Sequence, residues 1–287
     1  MNGAEWTIRV LGLVALTLLT GALGFDALAM RGRNAAALRV QAAQVHLALT
    51  RVALGLFVLA SGLEVVAQWT RSGELAARAV SLYVARLALA WVIAFAVARS
   101  KPALALSGAA LLMLTRSLGS RSAELPEWAL PVAADWLHLT AAAFWLGGVA
   151  YLALVLVPLA LRHRLIGALG AAVERFSPLA VAAVAMVGLT GLMQSANFLS
   201  GYEDLTGTAY GQALLAKSGG FVVLIMLGAF HQFVIGPRLR LWRARAAQAE
   251  DAARRFRISL AIEAFLGLGV LSAAAAMTVL PLPAATP

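Results

Sequence analysis

The chain has 287 residues, 62% of them hydrophobic and 13% charged, with a formal net charge of +10 and no cysteine. A mean hydropathy of +0.85 exceeds what a soluble domain of this length needs, and apolar runs of about 20 residues recur, so the composition is that of a polytopic membrane protein with no room for an appended soluble domain. The missing cysteines exclude thiolate metal ligation, disulfides and thiol catalysis, and the Arg residues fall between apolar stretches, where orientation in a bilayer explains them better than nucleic acid does.

Hydropathy predicts an all-α transmembrane bundle of about eight spans. They run Ile8–Ala29, Ala43–Gln68, Ala77–Ala98, Pro102–Leu118, Val132–Leu161, Phe176–Leu199, Gln212–Ile235 and Ile258–Leu280. The first looks like a signal peptide, with Ala27-Leu28-Ala29 as a small-x-small site. Its positive residues Arg31, Arg33 and Arg39 follow the apolar core, however, and only Arg9 precedes it. That order of charge is expected of a first helix inserted with its N-terminus outside. The fourth span is the weakest: it is short, opens on Pro102, which a first helical turn tolerates, and has Arg116 near its end.

The connecting loops alternate in charge. Met30–Ala42, Arg99–Lys101, the link around Arg162, Arg164 and Arg175, and Pro237–Arg257 are basic. In Pro237–Arg257 the charge comes from Arg238, Arg240, Arg243, Arg245, Arg254, Arg255 and Arg257. The intervening loops are neutral or acidic, with Glu74, Glu124, Glu127, Glu203 and Asp204. The positive-inside rule then places both termini outside, with Trp6, Trp69, Trp128 and Trp136 at the outer interface and Trp242 at the inner one. The spans divide into an N-terminal four-helix half, 1–130, and a C-terminal half, 131–287.

The chain is organised around Asp135–Pro158, a span that carries Asp135, His138, Trp145 and the pair Gly147–Gly148. Asp135 and His138 are three apart and share a helix face; Trp145 follows two turns down the same stripe. The two glycines allow a neighbouring helix to approach closely. At about 1.5 Å per residue, His138 lies roughly 9 Å in from the outer end. Glu64, Met193, Gln194, Asn197 and Lys217 fall in the same outer third, and Arg86 a little deeper. In so costly an environment some must pair, Glu64 with Arg86 or Asp135 with Lys217. An inner group holds Asp26, His46, Arg51, His231 and Glu263, with His46 and His231 at similar depth.

Met113, Met186 and Met226 lie between the two groups. Imidazole and thioether suit copper, so two His-bearing ends joined by Met form a candidate metal path. The same residues also serve as helix glue, structural ion pairs and core gap fillers. No phosphate-binding glycine motif or nucleophile arrangement is present, which argues against an ATP-driven pump and against hydrolysis.

Asp135-Trp-Leu-His138 followed by Ala-Ala-Ala-Phe-Trp145-Leu-Gly-Gly148 resembles the opening of the copper resistance protein D family. The likeness continues through Arg175-Phe-Ser-Pro178, Val187-Gly-Leu-Thr-Gly191, Gly207-Thr-Ala-Tyr-Gly211, Leu214-Leu-Ala-Lys217 and Gly236-Pro-Arg-Leu-Arg240, and ends in the last helix around Glu263. It covers about the C-terminal half. The resemblance implies a multi-pass protein of the bacterial inner membrane that moves copper, a transporter and not an enzyme, beside a small periplasmic copper carrier. Depth and ligand chemistry, rather than the resemblance, make His138 with Asp135 a candidate periplasmic site and His46, His231, Met186, Met193 and Met226 further candidate ligands. His231 stands where the family tends to have Asn. The helix pattern is also similar to membrane protoporphyrinogen oxidases, which keeps haem b between His46 and His231 as the alternative.

Overall fold

The computed structural model describes residues 3–74, 76–199, 201–235 and 246–283. Among them the regular structure is helical throughout. In chain order the helices are α1 (Gly3–Gly24), α2 (Arg33–Ser72), α3 (Ala77–Ala98), α4 (Pro102–Leu118), α5 (Ala129–Tyr151), α6 (Val157–Arg162), α7 (Ile166–Phe198), the short α8 (Glu203–Gly207), α9 (Ala209–Phe230) and α10 (Ala246–Val279). The π turns Phe25–Ala29, Leu152–Leu156 and His231–Ile235 extend α1, α5 and α9. The Gly236–Arg240 motif, Trp242 and the arginines Arg238, Arg240, Arg243 and Arg245 lie outside the described residues.

Seven of the predicted spans have helices long and apolar enough to cross a bilayer, so the chain is a multi-pass membrane protein. The fourth, α4, has 17 residues. It rises roughly 25 Å, against a hydrocarbon core of about 30 Å.

Three helices begin well before the predicted boundary, α2 at Arg33, α7 at Ile166 and α10 at Ala246. The extensions of α2 and α10 are too polar to read as span, but they are amphipathic. Ala35, Leu38 and Ala42 form one apolar stripe, and Ala249, Ala253, Phe256 and Leu260 another, at the three- and four-residue spacing of a buried helix face. Both stripes join Phe25, Leu156 and Leu169 in one apolar core. Much of what reads as basic loop is therefore helix.

Pro158 is the second residue of α6 and follows the π turn Leu152–Leu156 by two positions. Its ring has no N–H to donate and would press on the carbonyl four residues back; the wider turn there lets the span continue into α6.

α1 and α5 are the inner helices. In each, 67% of the most apolar stretch is buried, against 11 to 33% in the other five long spans. They cross at Gly21 and Gly147, where a Cβ on either would overlap the backbone of the other helix. Gly148 faces the ring of Phe176 in α7, and Gly24 that of Phe144. The glycine pair thus serves the close approach expected of it. α1 also packs on α2, α4 and α10, and α5 on α4, α7 and α10, so the two halves share one core. α9 packs chiefly on α10.

Cross-helix contacts fix which helix ends lie together. Arg71 Nη1 at the end of α2 donates to Glu5 in α1 at 2.8 and 2.9 Å. Arg78 of α3 donates to Leu118 O at the end of α4. Trp6 Nε1 donates to Ser272 O of α10 at 3.2 Å, and Arg121 donates to Met277 O, Thr278 O and Leu280 O at 3.1, 3.3 and 2.6 Å. The first turn of α1 and the last turn of α10 therefore share one end of the bundle, called here the Glu5 end.

Candidate functional site

A cavity of about 730 Å³ lies at the Glu5 end, where α9 stands away from α5 and α7. Glu64, Arg86, Asp135, His138, Trp145, Gln194 and Lys217 all line it. All but Trp145, which was read from the His138 stripe, are outer polar residues singled out by depth, and five helices bring them to one space. Met193 and Asn197 are the exceptions: both are exposed on the outer surface of α7, Met193 at 38%.

His138 is buried, and both ring nitrogens are engaged. Nδ1 is 3.1 Å from Thr190 Oγ1, and Nε2 is 3.5 Å from Lys217 Nζ. Thr190 Oγ1 donates its hydrogen to Met186 O at 2.6 Å. Toward His138 it therefore accepts, which puts the imidazole proton on Nδ1 and leaves the lone pair on Nε2 facing Lys217 and the cavity. Gly191, next to Thr190, keeps this face of α7 thin: a Cβ there would stand 3.4 Å from His138 Cε1. Thr190 was not among the candidates read from sequence. Its signal was a hydroxyl inside an apolar span, one turn before Gln194.

Asp135, expected to pair with Lys217, instead accepts from Ser120 Oγ at 3.1 Å and forms no ion pair among the described residues. Ser120 sits just beyond α4, so the turn between α4 and α5 folds back over the carboxylate. Glu64 does pair with Arg86, at 3.5 Å, but its nearer partner is Arg116, whose Nη1 donates to Oε1 at 2.5 Å and Oε2 at 2.8 Å. Sequence placed Arg116 near a span end. The rotation of α4 turns it inward. Arg86 also donates to Thr115 Oγ1 and Thr115 O, each at 3.3 Å. Trp145, two turns below His138, is buried and meets the Phe221 ring edge-on at 6.0 Å. Gln194 Nε2 is buried without a hydrogen-bond partner among the described residues.

At the opposite end Arg39 holds Asp26 through bonds of 2.8 and 3.0 Å. His46 Nδ1 is 3.2 Å from the Tyr151 hydroxyl. His231 turns to α10, with Nε2 2.7 Å from Ser259 Oγ and Nδ1 3.0 Å from Glu263 Oε2; Glu263 is 1% exposed. Both His231 nitrogens are thus taken by one neighbouring helix, while His46 is held by α5. The inner pair expected to share an ion, or to bracket a haem, is divided between these separate partners because the π turn at His231 aims its ring at α10. Met186 and Met226 are 37% and 59% exposed on the bundle surface, and Met113 is buried in the core. No thioether path joins the two ends along these residues. Among the described residues, no three His, Asp or Glu side chains converge as a metal site.

Residues 170–277 match the family model for copper resistance protein D. Over 172 residues the chain is 35% identical to the copper transport protein CutJ of Bacillus subtilis (strain 168); the alignment takes in 60% of this chain and 29% of that protein, so this chain spans under a third of the relative's length. No solved structure matches. The family match takes in Thr190, Gln194, Lys217, His231 and Glu263, while Asp135 and His138 precede it.

Proposed function

We propose that this chain, a member of the copper resistance protein D family through residues 170–277, carries copper across a bacterial inner membrane, with the Glu5-end cavity as its periplasmic intake. The observation that carries the reading is the convergence of polar groups from α2, α3, α4, α5, α7 and α9 on one cavity beside the family segment. Ionisable groups inside a bilayer are costly, and they are retained where they line a path for an ion. His138 presents an unprotonated Nε2 to that space, and Asp135 adds a carboxylate one turn away, so the two are the first copper donors. Thr190 positions the imidazole. Lys217 guards the coordinating nitrogen.

Orientation follows from charge. The Glu5 end carries the acidic loop residues, and the Asp26 end carries Arg31, Arg33, Arg99, Lys101, Arg162 and Arg164. The positive-inside rule puts the Asp26 end in the cytoplasm, gives eight passes with both termini periplasmic, and lets a small periplasmic copper carrier deliver at the cavity mouth. The activity is transport and not catalysis. The name of the CutJ relative agrees with copper transport.

The test is copper accumulation by cells expressing His138→Ala and His138→Gln, with the amount of protein in the membrane measured alongside. The glutamine keeps a polar contact for Lys217 but has no imidazole. Both variants should reach the membrane and lose copper uptake. Wild-type uptake by His138→Gln at wild-type abundance would reject the intake role.

A further inference from the structure

Four features of the cavity fit a bare copper cation poorly. Its wall carries six basic side chains, Arg9, Arg71, Arg86, Arg116, Arg121 and Lys217, against four acidic ones, Glu5, Glu64, Glu124 and Asp135. Two guanidiniums share the single carboxylate of Glu64, so the excess is local as well as total. Next, the coordinating face of His138 is blocked by a cation, Lys217 Nζ at 3.5 Å from Nε2. A metal ion arriving there meets an ammonium first. Third, among the described residues no further His, Asp or Glu converges with His138 and Asp135 as a metal site. Copper(II) prefers a four-donor, tetragonal set of nitrogen and oxygen. Last, about 730 Å³ is the size of a small-molecule pocket, for which roughly 300–1,000 Å³ is usual, and far exceeds what one ion needs.

We propose that the cavity admits copper as a small anionic chelate, one whose carboxylates complete the metal's coordination and neutralise the basic wall. This rests on the reading of the cavity as the copper intake. A carboxylate of the chelate takes Lys217 as its ion-pair partner. That draws the ammonium away from His138 Nε2, which then occupies one coordination position, with Asp135 available for a second. Arg116 and Arg86 face the remaining negative charge, and the unpartnered Gln194 Nε2 gains an acceptor. The exchange is one of ligands only: no electron is transferred, and chelate oxygens leave the metal as His138 and Asp135 arrive.

The test is equilibrium dialysis of the purified full-length protein in detergent against three probes: copper(II) citrate, an anion; copper(II) bis-glycinate, neutral; and metal-free citrate. Bound copper is counted by atomic absorption and bound citrate by radiolabel. Wild type should bind copper citrate about tenfold or more tighter than either other probe, a difference that one charge-assisted contact can supply. Lys217→Met should erase the preference for the anionic chelate while retaining binding of the neutral one. Arg116→Gln should reduce the preference by about as much. His138→Ala should weaken both copper probes and leave free citrate unchanged.

Equal wild-type affinity for the two copper complexes, with both lost in His138→Ala, would overturn the chelate proposal and leave the intake reading standing. Indifference of both copper probes to His138→Ala would overturn the intake reading and the proposal with it. Copper citrate and free citrate bound equally, whatever stands at position 138, would make the cavity a plain anion site and overturn the proposal.

Discussion

Replacing Glu64 with Gln should cost more stability than replacing Arg116 with Gln, although each substitution breaks the same close ion pair. Glu64 answers two guanidiniums, Arg116 at 2.5 Å and Arg86 at 3.5 Å. The side chains of Glu64, Arg116 and Arg86 are 18, 12 and 8% exposed, so the cluster is not a screened surface pair. Glu64→Gln leaves two buried cations around a neutral amide. Removing one partner of a buried pair costs about 3–5 kcal/mol, because the other charge stays uncompensated. Arg116→Gln leaves Arg86 and Glu64 together, so it forfeits one charge-assisted contact, about 1.5–3 kcal/mol. Arg86 keeps both bonds to Thr115 in either variant. In the double variant, loss of Arg116 relieves the repulsion that loss of Glu64 created, so the combined cost should fall short of the sum by about 1–2 kcal/mol. Unfolding in mixed micelles with rising dodecyl sulfate, followed by helicity, measures all three. An Arg116→Gln cost equal to or above that of Glu64→Gln, or additivity of the two within about 0.5 kcal/mol, would refute the three-charge account.

Gly147→Ala should destabilise by about 1–3 kcal/mol in the same unfolding assay, since its Cβ would fall on Thr17 O and force α1 and α5 apart, whereas Gly55→Ala, which meets open space, should change stability by less than about 0.5 kcal/mol. Reporter fusions at Gly32, Arg164 and Ala246 should read cytoplasmic, and fusions at Ser72, Glu124, Glu203 and the C-terminus periplasmic; a cytoplasmic C-terminus would overturn the eight-span topology and the depths built on it.

The helices themselves were legible in the sequence, and the reason is local. Inside a bilayer each apolar run must satisfy its own backbone hydrogen bonds, so hydropathy alone places the spans, and α3 and α4 begin and end where the sequence put them. Depth was legible for the same reason, because position along a helix is distance across the membrane. That is why Glu64, Arg86, Asp135, His138, Gln194 and Lys217 belong together in both readings. Gly147 and Gly148 were also readable, as small residues in an otherwise bulky span mark a close crossing.

Tertiary structure alone decided the partners. A side chain's neighbour depends on the rotation of its helix and on which helices stand beside it, and neither is written in hydropathy. Arg116 was assigned to a span end, yet α4 turns it onto Glu64. Lys217 was matched with Asp135, yet it faces His138, and Asp135 finds Ser120 instead. His46 and His231, placed at similar depth by sequence, do not share a partner: His231, at the start of a π turn, meets Ser259 and Glu263 of α10. The early starts of α2 and α10 were invisible for a related reason. Their polar faces lower the hydropathy, and only packing against Phe25 and Leu156 shows that their other faces are core.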